Sequence, residues 1–170
     1  GYVYLYSSNS GINIYKIQVD SSASSGSGSS SSGSSTTDTS NGTVVTSFSE
    51  LTAAVTKAEK AGGGIVYVKG SSISCTAQLA LKASNANVSI IGVKNSDGTY
   101  PVLDFSAFRS AYIGKATTDS EVGIRISGSN YTIKNLIIQK APDNGIQIKG
   151  SSSGNNTIEN CIVRYNNDAG

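Results

Sequence analysis

The chain has 170 residues and a formal net charge of +2, and only 14% of its residues are charged. This low charge argues against the broad basic surface that binds nucleic acid or an anionic membrane, so we expect neither partner. No run of about 18 apolar residues occurs, which excludes a membrane-spanning helix. Histidine is absent, so a histidine-based catalytic triad and a typical zinc site are also excluded.

Residues 1–20 contain two alternating segments, 2–6 and 12–19, separated by the polar residues 7–11. This pattern predicts a β-hairpin with a five-residue loop. Because an isolated hairpin is only marginally stable, we interpret residues 1–20 as the C-terminal strands of a β-sandwich accessory module. The chain begins without an initiator methionine or a leader, which indicates an internal piece of a longer protein.

Residues 21–40 consist chiefly of serine, with glycine and threonine. Such a segment has too few apolar side chains to offset the entropy lost on folding. We therefore predict a flexible linker over residues 21–40, between the sandwich module and a domain that begins at residue 41.

A short strand is predicted at residues 43–46, followed by a helix. Ser47 and Glu50 have the spacing of a capping box, and Gly62 supplies a stop signal. The helix has one apolar stripe, formed by Leu51, Ala54, Val55 and Ala58. Because the helix directly precedes a predicted strand at residues 65–68, we expect this stripe to cover the end of the structure formed by the later strands.

Further strands are predicted at residues 88–91, 101–105 and 122–126, and a repeat follows. Residues 123–126 return as 145–148, and residues 132–138 return as 157–163, which is 25 positions later. A period of this length, built of short alternating segments, is typical of a stacked parallel β-solenoid. The repeat predicts Ile124 over Ile146 and Ile133 over Ile158, all pointing inward.

The predicted fold of residues 41–170 is therefore all-β, a single-stranded parallel β-helix with an N-terminal capping α-helix, which ends after its first coils. Two cysteines, Cys75 and Cys161, are too few for a disulfide framework. Cys161 occupies the position of Leu136 one coil earlier, which indicates a small buried apolar side chain.

Arg125 and Gln147 are the candidate substrate-binding residues. They occupy equivalent, outward positions on adjacent coils and could line a groove for an acidic sugar. A solvated sheet face explains the same pair of residues, and this alternative stays open.

Two further pairs recur from coil to coil. Asp143 and Asp168 lie one coil apart, close enough to share a cation, although a role in bonding their own turns is favoured. Asn135 and Asn160 repeat at the same spacing, and we expect a buried ladder of side-chain amides.

The order of several segments resembles a known family. These segments are residues 62–70, 89–93, 104–106, 123–126, 135–138 and 143–146. Together they resemble the N-terminal part of a bacterial pectate lyase of polysaccharide lyase family 9, a right-handed parallel β-helix, and the resemblance covers residues 43–170. It implies a secreted, extracellular and monomeric enzyme that cleaves polygalacturonate, an acidic plant polysaccharide, by calcium-dependent β-elimination.

In that family, the calcium ligands and the catalytic base lie in motifs of the types Asp-Asp-Gly-Trp-Asp and Asn-Gly-Phe-Lys. Neither motif occurs in this chain. We therefore assign no catalytic residue and no metal ligand within it, and expect the catalytic coils to lie beyond residue 170. The alternative from another class is a non-catalytic β-solenoid of a surface adhesin or extracellular fibre.

Overall fold

The computed structural model describes residues 37–116 and 120–168. The predicted hairpin at residues 1–20 and residues 21–36 of the predicted linker lie outside the described residues. Of the predicted linker, the structure describes residues 37–40. Residues 37–39 have no regular secondary structure, and residue 40 lies in a turn.

The described residues form twelve short strands and two helices. In chain order these are β1 Thr43–Val45, α1 Phe48–Lys60, β2 Gly64–Val68, β3 Ser72–Ser74, β4 Leu79–Leu81, β5 Val88–Gly92, β6 Val102–Asp104, α2 Ser106–Ser110, β7 Ile124–Ile126, β8 Tyr131–Lys134, β9 Ile137–Gln139, β10 Ile146–Ile148, β11 Thr157–Glu159 and β12 Ile162–Arg164.

The strands pair in parallel and make three sheets. Sheet 1 has the order β1-β2-β5-β8-β11, sheet 2 the order β3-β6-β9-β12, and sheet 3 the order β4-β7-β10. From β2 onward, successive strands therefore pass from sheet 1 to sheet 2 to sheet 3, and the chain then returns to sheet 1 one layer higher. This winding is a parallel β-helix, as the repeat predicts.

The register of the last two coils is the predicted one. Ile124 pairs with Ile146, and Ile133 pairs with Ile158. Ile124 and Ile133 are completely buried, whereas Ile146 and Ile158 pack against the same core but are only partly buried. The difference arises because no described strand covers the last coil. Both stacked pairs are thus confirmed.

The two cysteines contribute to the core and are free. Cys161 packs against the core at the position that the buried Leu136 occupies one coil earlier, as predicted, but it is only partly buried because no described strand covers the last coil. Cys75 is completely buried, and burial, reinforced by the charge of Asp104, raises the pKa of its thiol to about 12. Cys75 therefore stays a protonated, apolar side chain at neutral pH.

Helix α1 begins and ends where the sequence predicts. The Ser47 side chain accepts a hydrogen bond from the Glu50 backbone N–H, and the Glu50 carboxylate accepts one from the Ser47 N–H. At the other end Gly62 adopts a φ of 79°, its N–H donates to the Glu59 carbonyl, and the Gly63 N–H donates to the Ala58 carbonyl. These two bonds form a Schellman motif, so both helix ends are satisfied.

The apolar stripe of α1 closes the first coil. Leu51, Ala54 and Val55 are buried in the core, and Ala58 packs at its edge. The helix lies against β1, β2 and β5 of sheet 1. Its Glu59 also accepts a hydrogen bond from the Tyr131 hydroxyl. The predicted capping helix is therefore confirmed.

Replacing Ser47 with alanine should lower the free energy of unfolding by about 1 kcal/mol, because an N–H of the first helical turn loses its acceptor. Chemical denaturation of both proteins measures this difference. Thr56→Ala, which removes an exposed hydroxyl from the middle of the same helix, is the control and should not destabilise. Equal stability of Ser47→Ala and the parent chain would show that the cap contributes nothing.

Candidate functional site

Arg125 and Gln147 lie at the centres of β7 and β10, where they pair in register. The neighbouring isoleucines of β7 point into the core, so Arg125 and Gln147 are on the outer face of sheet 3, and both are half-buried. Ala80 of β4 precedes them in the same column. The structure thus places the two residues on adjacent strands, whose backbones lie about 5 Å apart, with both side chains on one outer face. Guanidinium and amide N–H groups are donors that suit the oxygens of a sugar.

The predicted asparagine ladder occurs at the corner between sheets 1 and 2. The Asn160 Nδ2 donates to Asn135 Oδ1 over 3.2 Å, and both residues have a positive φ, of 55° and 59° respectively. The expectation that the ladder is buried is wrong, since Asn135 is half-buried and Asn160 is exposed. The strands on either side of Asn160 have only three residues each, so the corner between them lies near the surface. No described residue covers Asn160 from above. This hydrogen bond links the corners of two adjacent coils, which agrees with a structural role.

Asp143 and Asp168 lie one coil apart in the turn after sheet 2. The Asp168 backbone N–H donates to the Asp143 carbonyl, and Asn144 Nδ2 donates to Asp168 Oδ2, each over 3.5 Å. Both bonds join adjacent coils, and neither connects an aspartate side chain to the backbone of its own turn, so the turn role stays a prediction. Across residues 37–116 and 120–168, no group of three acidic or cysteine side chains could hold a metal ion. The described coils therefore do not fit a calcium site.

A column of polar side chains on sheet 2 was not predicted from the sequence. Asp104, Gln139 and Arg164 end three successive strands and pair in register. The Gln139 Nε2 donates to Asp104 Oδ2 over 2.7 Å, and the Arg164 Nε donates to Gln139 Oε1 over 3.0 Å. The available signal was the spacing of Gln139 and Arg164, which equals the 25-residue repeat.

Asp104 is the anionic residue at the first position of this column. Its Oδ1 accepts hydrogen bonds from the Ser106 N–H, over 2.8 Å, and from the Ser106 hydroxyl, while its Oδ2 also accepts one from Lys140 Nζ over 3.0 Å. Partial burial opposes ionisation, but the bonds from Ser106, Gln139 and Lys140 outweigh it and hold the pKa of Asp104 well below its usual 3.8. The column thus carries a fixed negative charge at its first rung.

The lowered pKa of Asp104 predicts a pH-dependent contribution to stability. A carboxylate whose pKa is lower in the folded than in the unfolded state stabilises the fold above the unfolded value of 3.8, and this contribution declines as the pH falls toward the folded value. Asp104→Asn should therefore destabilise at pH 7, and its difference from the parent chain should shrink below about pH 4. Denaturation midpoints at several pH values measure this, and a difference independent of pH would contradict it.

No helix in the described ranges is long and apolar enough to cross a bilayer.

Comparisons with known proteins agree with this architecture. Residues 31–170 match the model of a family described as "Pel9A-like, right handed beta helix region". The chain is also similar to pectate lyase L of Paenibacillus polymyxa (strain SC2), at 33% identity over 122 residues. That alignment covers 71% of the chain and 24% of the lyase, so the chain spans about a quarter of the length of this curated relative. No solved structure gives a significant match.

Proposed function

The chain belongs to the Pel9A-like right-handed β-helix family, and from this membership we propose that it is the helix-capped first part of a secreted, extracellular and monomeric pectate lyase. The observation that carries the proposal is the similarity to pectate lyase L, which extends over 71% of the chain. It supports a lyase over the alternative of a non-catalytic solenoid from an adhesin or fibre. A fold alone would support neither, because β-helices serve many functions.

The proposed substrate is polygalacturonate, an acidic plant polysaccharide, and the proposed reaction is β-elimination. The step removes the proton at C5, next to the uronate carboxylate, while the glycosidic bond at C4 breaks and a double bond forms between C4 and C5. A bound calcium ion would supply the charge that holds and acidifies the carboxylate, and a lysine or arginine would accept the proton. We place both in coils beyond residue 170, since the described residues do not fit a calcium site.

Within this proposal, Arg125 and Gln147 contact the polysaccharide. Both side chains are on the outer face of sheet 3 and occupy adjacent rungs. Guanidinium and amide N–H groups are suitable donors to carboxylate and hydroxyl oxygens. Such contacts exist before and after the bond breaks, so they would bind and orient the chain of sugars without taking part in the proton transfer.

The test uses the protein encoded by the complete gene. On polygalacturonate with calcium it should release unsaturated products, seen as a rise in ultraviolet absorbance, and a chelator should abolish that rise. Fully methyl-esterified pectin and a neutral galactan are the matched substrates and should be cleaved far more slowly. Arg125→Gln should raise KM more than it lowers kcat. A complete protein that is folded but does not cleave polygalacturonate in the presence of calcium would contradict the proposal.

A further inference from the structure

The Tyr131 hydroxyl joins three elements of the fold. Tyr131 is the first residue of β8, and it is only 1% exposed. Its hydroxyl donates a hydrogen bond to the Glu59 carboxylate in the last turn of α1 and accepts one from the Ala83 N–H over 2.9 Å. Ala83 lies in the turn after β4. One buried oxygen atom therefore connects the capping helix with the end of the first coil and the start of the third.

This contact reaches beyond the strands on which α1 lies. The helix packs against β1, β2 and β5, and β8 is the next strand of sheet 1. A weaker bond, from Asn87 Nδ2 to the Gly62 carbonyl over 3.4 Å, connects the residue before β5 to the turn after the helix. Apolar burial is non-directional, whereas a hydrogen bond to a carboxylate is directional and strong. The bond to Glu59 thus adds a specific link between the helix and the third coil.

The winding of the coil does not require a tyrosine at this corner. The equivalent residue one coil later is Asn156, which starts the next turn of the same repeat. Its Oδ1 accepts a hydrogen bond from the Tyr131 N–H, and its Nδ2 donates one to the Gly128 carbonyl, each over 3.0 Å. The backbone of Tyr131 is therefore held by Asn156 and not by the phenol. This leaves the contacts with α1 and Ala83 as the specific contribution of the hydroxyl.

Glu59 is the charged group that contacts the hydroxyl. The lysines on the neighbouring parts of α1 and of the turn after β4 are exposed, and these are Lys57, Lys60 and Lys82. Lys134 of β8 points to the opposite face of sheet 1, where it pairs with Glu159. Burial and the bond to Glu59 both raise the pKa of Tyr131 above its usual 10. The hydroxyl therefore keeps its proton and donates it to the hydrogen bond at neutral pH.

We propose that Tyr131 and Glu59 form a latch, which makes the capping helix open as one unit with the third coil. With the latch intact, α1 leaves the first coil only when the packing around β8 is also disturbed. Without the latch, α1 opens locally while the sheets stay folded. Such opening would expose the end of the stack, where an uncovered strand edge can pair with another chain. The latch is a conformational device of the fold and does not depend on the proposed function.

The test is hydrogen exchange of the protein encoded by the complete gene, followed by mass spectrometry of its peptides. Tyr131→Phe should speed exchange in the peptides of α1 at least about tenfold relative to those of β5 and β8, because a buried bond to a charged group is lost. Glu59→Ala should have the same effect on α1, although it leaves the Ala83 bond in place. Glu59→Gln keeps an oxygen that can accept the bond, and it should stay closer to the parent protein.

Tyr67→Phe is the matched control. It removes the hydroxyl of another buried tyrosine of sheet 1, whose hydrogen bond goes to Asn41 Oδ1 and not to α1. The exchange of α1 relative to β5 and β8 should change less than twofold in this variant. The double variant Glu59→Ala, Tyr131→Phe should exchange no faster in α1 than the faster single variant, since both substitutions remove the same bond.

Chemical denaturation adds a pH-dependent readout. A tyrosine whose pKa is higher in the folded than in the unfolded state stabilises the fold below the unfolded value of 10, and this contribution is lost as the pH rises above it. The difference in denaturation midpoint between the parent protein and Tyr131→Phe should therefore shrink between about pH 9 and about pH 11. A difference that is the same at both pH values would contradict a buried, proton-donating hydroxyl.

Three exchange results would overturn the latch. The first is equal exchange of α1 in Tyr131→Phe and Tyr67→Phe. The second is equal acceleration of α1, β5 and β8 in Glu59→Ala, which would show general destabilisation in place of local opening. The third is full additivity of the two substitutions in the double variant. Because Glu59→Ala leaves the core and the Ala83 bond intact, it decides between the outcomes even if Tyr131→Phe does not fold.

Discussion

Replacing Leu51 with aspartate is expected to remove the cooperative unfolding transition of the β-helix or to shift it to far lower denaturant. Leu51 is completely buried on the stripe of α1 that covers the first coil. An aspartate there would place a carboxylate in an apolar core without a partner, at a cost of several kcal/mol. That cost is comparable with the total stability of a typical domain, about 5–15 kcal/mol.

Thr56→Asp adds the same charge to an exposed position of the same helix and is the control. It should change the stability by about 0.5 kcal/mol or less. Denaturation followed by circular dichroism compares the two variants with the parent chain. A Leu51→Asp variant that unfolds at the parent midpoint would show that the helix does not protect the first coil.

The second large effect is expected for Gly92→Ala. Gly92 ends β5, directly below the corner residue Asn135 of the next coil. An added Cβ would lie 1.9 Å from the Asn135 carbonyl oxygen and 3.0 Å from the Leu136 side chain. Backbone cannot move aside as a flexible side chain can, so two coils would have to separate. We expect a loss of about 3 kcal/mol or more, the upper end of the range for overpacking.

Gly154→Ala is the matched control, because a Cβ at Gly154 would meet no atom within 4 Å. Thermal or chemical denaturation should separate the two alanine variants clearly. If Gly92→Ala and Gly154→Ala are equally stable, the coils are not packed as closely at this corner as the structure shows.

The regular part of the fold could be predicted from the sequence because its signals are periodic. The repeat, of 25 residues for β8 and β11 and of 22 residues for β7 and β10, predicted both pairings. The capping box and the glycine stop predicted both ends of α1, since these signals are local.

Other elements have no such signal. Strands β3 and β4 have three residues each, too few to show an alternation, and they are strands because neighbouring coils supply their hydrogen bonds. Helix α2 has five residues and no side-chain cap at its start. Tertiary contacts, and not propensity, determine these segments.

The column on sheet 2 was missed for a related reason. Asp104, Gln139 and Arg164 are far apart in sequence and belong to different local patterns, and only the register of β6, β9 and β12 brings them together. A repeat predicts that positions stack, but not that their polar groups form one hydrogen-bonded relay. Arg125 and Gln147 were predicted to stack, and they do; their contact with substrate remains a proposal.

The central proposal is that the chain supplies the capped first coils and a binding surface of a pectate lyase, with catalysis in coils beyond residue 170. The most direct measurement is the ultraviolet absorbance of unsaturated product when the purified 170-residue chain is incubated with polygalacturonate and calcium. The protein encoded by the complete gene is measured in parallel under the same conditions. We predict no rise with the chain and a steady rise with the complete protein. A calcium-dependent rise with the chain alone would show that it contains a catalytic site and would contradict the claim.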